Sequence, residues 1–178
     1  MAEQGHGDES IGQLREGLAA NRTMRFEIMQ PYWLTLLAEV YGQVGQAKHG
    51  LSVLVEALAI VHATGQHVYE AELHRLQGEL LLQSGVQDLA SGVLTPDARL
   101  QTLYAEAEAY FQHALDVSHR QQAKSLELRA AMSLSRLWQR QGKRAEAHRL
   151  LAPIYGWFTE GFDTADLQEA KTLLDEPS

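Results

Sequence analysis

Eight histidines and twenty-three carboxylates are the groups with which this chain could do metal or acid–base chemistry. A metal held on one helix needs ligands three or four residues apart, so that both side chains leave the same face. His62 and His67 are five apart and His113 and His119 six apart, and neither interval stacks two rings. Glu70 with His74, and Asp116 with His119, do have helical spacing. Each is a single pair, whereas a metal site inside a helical bundle draws carboxylates and histidines from several helices. They are expected to be surface groups or neighbours bonded to each other, with no metal and no cofactor. Glu70 with Glu72, and Glu106 with Glu108, lie two apart and point to different helix faces, as a solvated surface does.

Other chemistries fail for want of parts. No cysteine is present, which removes thiolate zinc sites, disulfides and cysteine nucleophiles. Neither a GxxxxGK[ST] phosphate loop nor a GxSxG nucleophile turn occurs. The expectation is therefore a chain that is not an enzyme.

Arginine offers a different chemistry. Arg129, Arg136 and Arg140 are spaced by seven and four residues, so they share a helix face and can fork onto carboxylate or phosphate groups. They sit in a segment, 120–149, that holds eight Lys or Arg against two Glu, a local +6 within a chain of net charge −8. The overall negative charge disfavours nucleic-acid binding outside that segment.

The elements that must position these residues follow a repeated ruler of small, bulky and Gly residues. One copy reads Ala38, Tyr41, Gly45, Gly50, Leu54, Ala57, and another reads Ser135, Trp138, Gly142, Ala147, Leu151, Ile154. Between them Gly78, Leu81 and Gly85 begin a copy that resumes at Ala107, Phe111 and Ala114. Small residues at fixed places let paired helices approach closely, and a glycine can close a helix in the left-handed conformation. Gly45 to Gly85 is 40 residues, and Gly85 to Gly142 is 57, which is 17 longer. A period of about 40 touches the range of HEAT and armadillo repeats, but the small-large-Gly order favours tetratricopeptide-like repeats with lengthened helices. The predicted fold is all-α: a right-handed superhelix, or solenoid, of antiparallel helix pairs with a C-terminal capping helix.

Periodicity and capping signals predict helices over 8–22, 30–44, 47–64, 68–84, 96–121, 124–141, 144–158 and 164–175. As one repeat domain, 1–178, these divide into a half repeat at 1–22, repeats at 30–64, 68–121 and 124–158, and a cap at 164–175. The second repeat carries an insertion at about 86–102, read as a loop through Leu94 and then a backward extension of the next helix from a Thr95 cap and Pro96. Helix 47–64 shows one apolar stripe of Leu51, Leu54, Val55, Leu58 and Val61. Trp157, Phe158 and Phe162 read as core at the joint before the cap. The chain opens inside a repeat, so its first helix would show Ile11, Leu14 and Leu18 to water, which makes a homodimer through that helix an expectation.

In superhelices of this kind the first helix of each pair lines the concave face. That stripe comprises Tyr32, Thr35, Glu39 and Gln43, then Glu72, Arg75, Glu79 and Gln83, then Arg129, Met132, Arg136 and Arg140. It grades from mixed to basic, which suits a peptide or protein segment bearing acidic residues. The competing reading pairs these arginines with the acidic end of the chain, Asp163, Asp166, Glu169, Asp175 and Glu176.

The stretch RQQAKSLELRAAMSLSRLWQRQGKRAEAHRLLAPIYGWFTEGFDTADLQEAKTLL, 120–174, carries a resemblance, strongest in its RLWQRQGKRAEA and GWFTEGFDTADLQEAK blocks. It resembles the C-terminal tetratricopeptide-like tail of bacterial signalling proteins that join a class III adenylate/guanylate cyclase to a STAND-type ATPase. AEQGHGDESIGQLREGLAA and LLAEVYGQVGQAKHGL resemble the same tail. The resemblance implies a scaffold or sensor segment whose nucleotide chemistry is performed elsewhere. The alternative is the regulatory tail of an ATP-dependent transcription regulator that turns its basic face toward nucleic acid. The polar, acidic N-terminus has no secretory pattern and no apolar run is long enough to span a membrane, so a cytoplasmic protein is expected.

Overall fold

The computed structural model describes residues 11–17, 29–90 and 96–176. Those residues fold as eight α-helices with no strand among them. Helix α1 covers 11–17, followed by α2 (Gln30–Gln43), α3 (Ala47–Thr64), α4 (Glu70–Ala90), α5 (Pro96–Arg120), α6 (Lys124–Arg140), α7 (Arg144–Tyr155) and α8 (Ala165–Asp175). A short 3₁₀ turn, His67–Tyr69, leads into α4. Neighbours pack as α2 with α3, α4 with α5 and α6 with α7, while α4 also touches both α2 and α6, and α8 rests on α6 and α7.

Most positions of the ruler are packing positions. Ala38, Leu54, Ala57, Ala107, Phe111 and Ala114 are wholly buried, and Tyr41, Ser135, Ala147 and Leu151 nearly so. Glycine opens the contacts between neighbouring helices. A Cβ on Gly50 would lie 2.6 Å from Leu80 Cδ1 and one on Gly42 2.8 Å from Leu80 Cδ2, so Leu80 of α4 occupies space those residues leave free.

Gly45 and Gly142 take the left-handed conformation, with φ of 76° and 77°. Each closes its helix with the same two backbone bonds, Gln46 N–H to Tyr41 O and Gly45 N–H to Gly42 O in one, Lys143 N–H to Trp138 O and Gly142 N–H to Gln139 O in the other. The α5–α6 turn repeats the pattern on Gln122, a residue with φ of 56° that carries a side chain.

Gly85 behaves differently, which corrects the sequence reading of the insertion. It lies inside α4, which continues to Ala90, and its missing Cβ leaves room for Leu103 of α5. Gly78, two turns earlier on the same face, does the same for the Phe111 ring. The two glycines thus seat α5 along α4, and residues 86–90 are helix where a loop was expected. Thr95 lies outside the described residues.

Three further expectations are corrected. Val55 is 63% exposed and so leaves the apolar stripe of α3. Trp157 and Phe162 are 59% and 47% exposed, and only Phe158 packs against the core under α8. Ile11 is buried and Leu14 partly so against the core of α2, α3 and α4, so the face of α1 expected to meet water is covered within the chain. Leu18 lies outside the described residues. Leu167 and Ala170 of α8 are buried against Leu128, Ala131, Met132 and Leu151, as a covering helix requires.

Candidate functional site

Charged residues from four helices that are not consecutive in sequence meet on one face. Glu39 comes from α2, Glu72, Arg75 and Glu79 from α4, Arg129 and Arg136 from α6 with the hydroxyl of Ser133 between them, and Asp166 and Glu169 from α8. The periodicity of α4 explains its share: 72, 75 and 79 are one turn apart and leave the same side.

Arg75 is the centre of the array. Its guanidinium grips Glu72 through Nε at 3.0 Å and Nη2 at 2.7 Å, and it lies 3.6 Å from Glu79 and 3.9 Å from Glu39. Burial alone would lower its pKa, but the bonds and charges of the three glutamates outweigh that and raise it. Both members are withdrawn from water, Glu72 being 4% and Arg75 9% exposed. Arg129 reaches Glu72 at 3.1 Å, Glu39 at 3.4 Å and Asp166 at 4.0 Å. Arg136 pairs closely with Glu169 and lies 3.9 Å from Glu79. Ser133 Oγ donates to Glu79 at 2.7 Å and accepts from Arg75 at 3.4 Å.

Six of the predicted residues are therefore brought together: Glu39, Glu72, Arg75, Glu79, Arg129 and Arg136. Three are not. Tyr32 lies against Trp33 and Tyr69 with ring centroids 5.5 Å away from each, Gln43 is exposed at the end of α2, and Arg140 is exposed with no ion pair among the described residues. Thr35 and Met132 are buried, and Gln83 donates to Gly42 O at 2.8 Å.

The expected gradient toward a free basic end is corrected by the same geometry. Five carboxylates face three guanidinium groups, an excess of two negative charges, and α8 supplies two of the carboxylates. The sequence reading that paired these arginines with the acidic end of the chain describes Arg129 and Arg136.

Sequence reasoning missed a second polar cluster, on another face of α4. His74 of α4 and His113 of α5 stand edge-on with ring centroids 4.3 Å apart. Glu70 lies one turn before His74, and each of the three residues offers a ligand atom within 4.8 Å of the others. Glu70 Oε2 is bonded not to His74 but to His67 Nδ1, at 3.0 Å, while His74 Nδ1 donates to Gln77 Oε1 at 2.9 Å. Burial first, and the neighbouring His113 second, hold the His74 pKa below its ordinary value, so the ring favours the neutral form. An open cleft of about 470 Å³ beside the two rings is lined by Glu106, Ala109 and Tyr110. The interval between His74 and His113 carries no helical period, because the two rings meet across an antiparallel pair.

Glu127, at the start of α6, makes a third site. Burial raises its carboxyl pKa, but bonds with Lys124 at 2.6 Å and His119 at 3.2 Å outweigh that and hold it below the usual carboxylate range. No protein-family model matches the chain, and no curated protein matches it.

Proposed function

We propose that the chain is a non-catalytic interaction module, a tetratricopeptide-like helical solenoid that takes a peptide or protein segment along the face shared by α2, α4, α6 and α8. The observation that carries the reading is the convergence of charged side chains from these four helices, about a third exposed at Arg129, Arg136 and Glu39. The resemblance to the tails of cyclase–ATPase signalling proteins suggests a scaffold or sensor role in such a protein.

Because Asp166 and Glu169 already occupy Arg129 and Arg136, an acidic guest has to displace them. Helix α8 then acts as a built-in competitor that sets the affinity. The alternative, a face turned to nucleic acid, loses the same two cations to the same ion pairs and gains no support.

A labelled oligoglutamate peptide, titrated at low salt and followed by fluorescence anisotropy, tests this. Wild type should bind weakly, and the Asp166→Asn/Glu169→Gln variant more tightly. Neutral replacement of Arg129, Arg136 and Arg140 by Gln should abolish binding with helical circular dichroism unchanged. Reversal to Glu is unsuitable because it would set new carboxylates against Glu39, Glu72 and Glu79. Equal binding by the triple Gln variant, or no binding by any form, overturns the reading.

A further inference from the structure

We propose that Glu70, His74 and His113 form a binding site for a divalent transition-metal ion, zinc foremost, between α4 and α5.

The donor set defines the class of ion. Two imidazoles and one carboxylate suit zinc and its first-row neighbours, whereas magnesium and calcium call for oxygen ligands throughout. The geometry is close to what binding requires. Tetrahedral zinc with bonds of about 2.0–2.1 Å sets its ligand atoms about 3.4 Å apart. The three ligand atoms here lie within 4.8 Å of one another, so binding calls for the side chains to turn inward. His113 is exposed and can turn, while Glu70 is partly buried and bonded to His67 through one oxygen.

The surroundings match those that metal ligands need. The Nδ1–H of His74 is held by Gln77 Oε1, which fixes the ring and leaves the lone pair on Nε2. His67 holds one oxygen of Glu70 and leaves the other, and the carbonyl of His67 accepts from Gln121 at 2.6 Å. Tyr110 stacks on the His74 ring with centroids 6.4 Å apart. Three protein ligands leave a fourth position, and the cleft lined by Glu106, Ala109 and Tyr110 gives water or another small donor access to it. The Gly78–Phe111 and Gly85–Leu103 contacts fix how α5 lies along α4, so the ligand pair is set by rigid helices and not by a loop.

The test uses the full chain, freed of metal by a chelator and titrated calorimetrically with zinc chloride, with cobalt(II) as a spectroscopic substitute. One zinc per chain should bind, and cobalt should develop the visible bands of a four-coordinate centre. His113→Ala removes a ligand that is exposed and plays no part in the core, so folding is preserved. It should weaken zinc by more than about tenfold, the scale on which even a supporting residue acts, and abolish the cobalt bands. His74→Gln and Glu70→Gln should weaken zinc as well, while His119→Ala and His148→Ala, away from the cluster, should not. Failure of wild type to take up zinc overturns the proposal. So does an unchanged zinc affinity in both His113→Ala and the His74→Gln/His113→Ala double variant.

Discussion

Helix α4 carries two polar faces, and they are finished to different degrees. On one, Arg75, Glu72 and Glu79 meet charges of opposite sign from α2 and α6, and α8 closes the last arginines. On the other, Glu70 is held by His67 and His74 by Gln77, and His113 stands edge-on to the His74 ring. On the first face the chain's own carboxylates already meet the arginines; on the second, two imidazoles and a carboxylate converge beside an open cleft. A run of charges in a sequence therefore does not show how far the chain's own residues pair it.

Removing one partner from the finished face should have the largest effect. Arg75→Ala leaves Glu72 buried, and breaking a buried ion pair costs about 3–5 kcal/mol. The lower end is expected because Arg129 still reaches Glu72, and chemical denaturation measures the loss. Next comes the contact that aligns the histidines. Gly78→Ala forces the Phe111 ring aside, an overpacking worth about 1–3 kcal/mol, and should weaken zinc binding while sparing the Arg75 array. A loss of stability without any change in zinc affinity would separate helix alignment from the metal site.

Acid should act more gently, and in two windows. The folded chain binds a proton on His74 less readily than the unfolded chain does. Its share of stability is therefore present above the ordinary histidine value near 6.5 and declines as pH falls below it. Glu127 contributes a second decline below its ordinary value of 4.5, because its folded pKa is depressed. Stability curves of wild type and His74→Gln should differ in the upper window and coincide in slope in the lower. The smallest effect belongs to the rim of the finished face. Glu169 is 56% exposed, and its pair with Arg136 should contribute about 0–1 kcal/mol, so Glu169→Gln barely shifts unfolding while tightening oligoglutamate.

Most of the helices and nearly all the packing positions were legible in the sequence. Small residues at helical spacing leave few ways to pack, and Ala38, Ala57, Ala107, Ala114 and Ala147 are buried where the ruler put them. Gly85 was misread because a glycine can end a helix or admit a neighbour, and only Leu103 across the pair tells which. Trp157 and Phe162 were misread because an aromatic is apolar wherever it stands, and the segment between α7 and α8 does not fold back over them. The ion-pair face was half legible: spacing along α4 and α6 named the members, but their neutralisation depends on where α8 lies. His113 escaped because its partner is on another helix. Once Gly78 is set against Phe111, counting outward in opposite directions brings His74 near His113, so the antiparallel register was the signal that could have found it.

The independence of the two faces of α4 is tested most directly by the melting temperature of the metal-free chain, measured with and without excess zinc. Zinc should raise it in wild type, because a ligand that binds only the folded state stabilises it, and equally in the Arg129→Gln/Arg136→Gln variant. In His113→Ala the rise should vanish. A rise that survives in His113→Ala, or one that is lost with the arginines, would contradict the account.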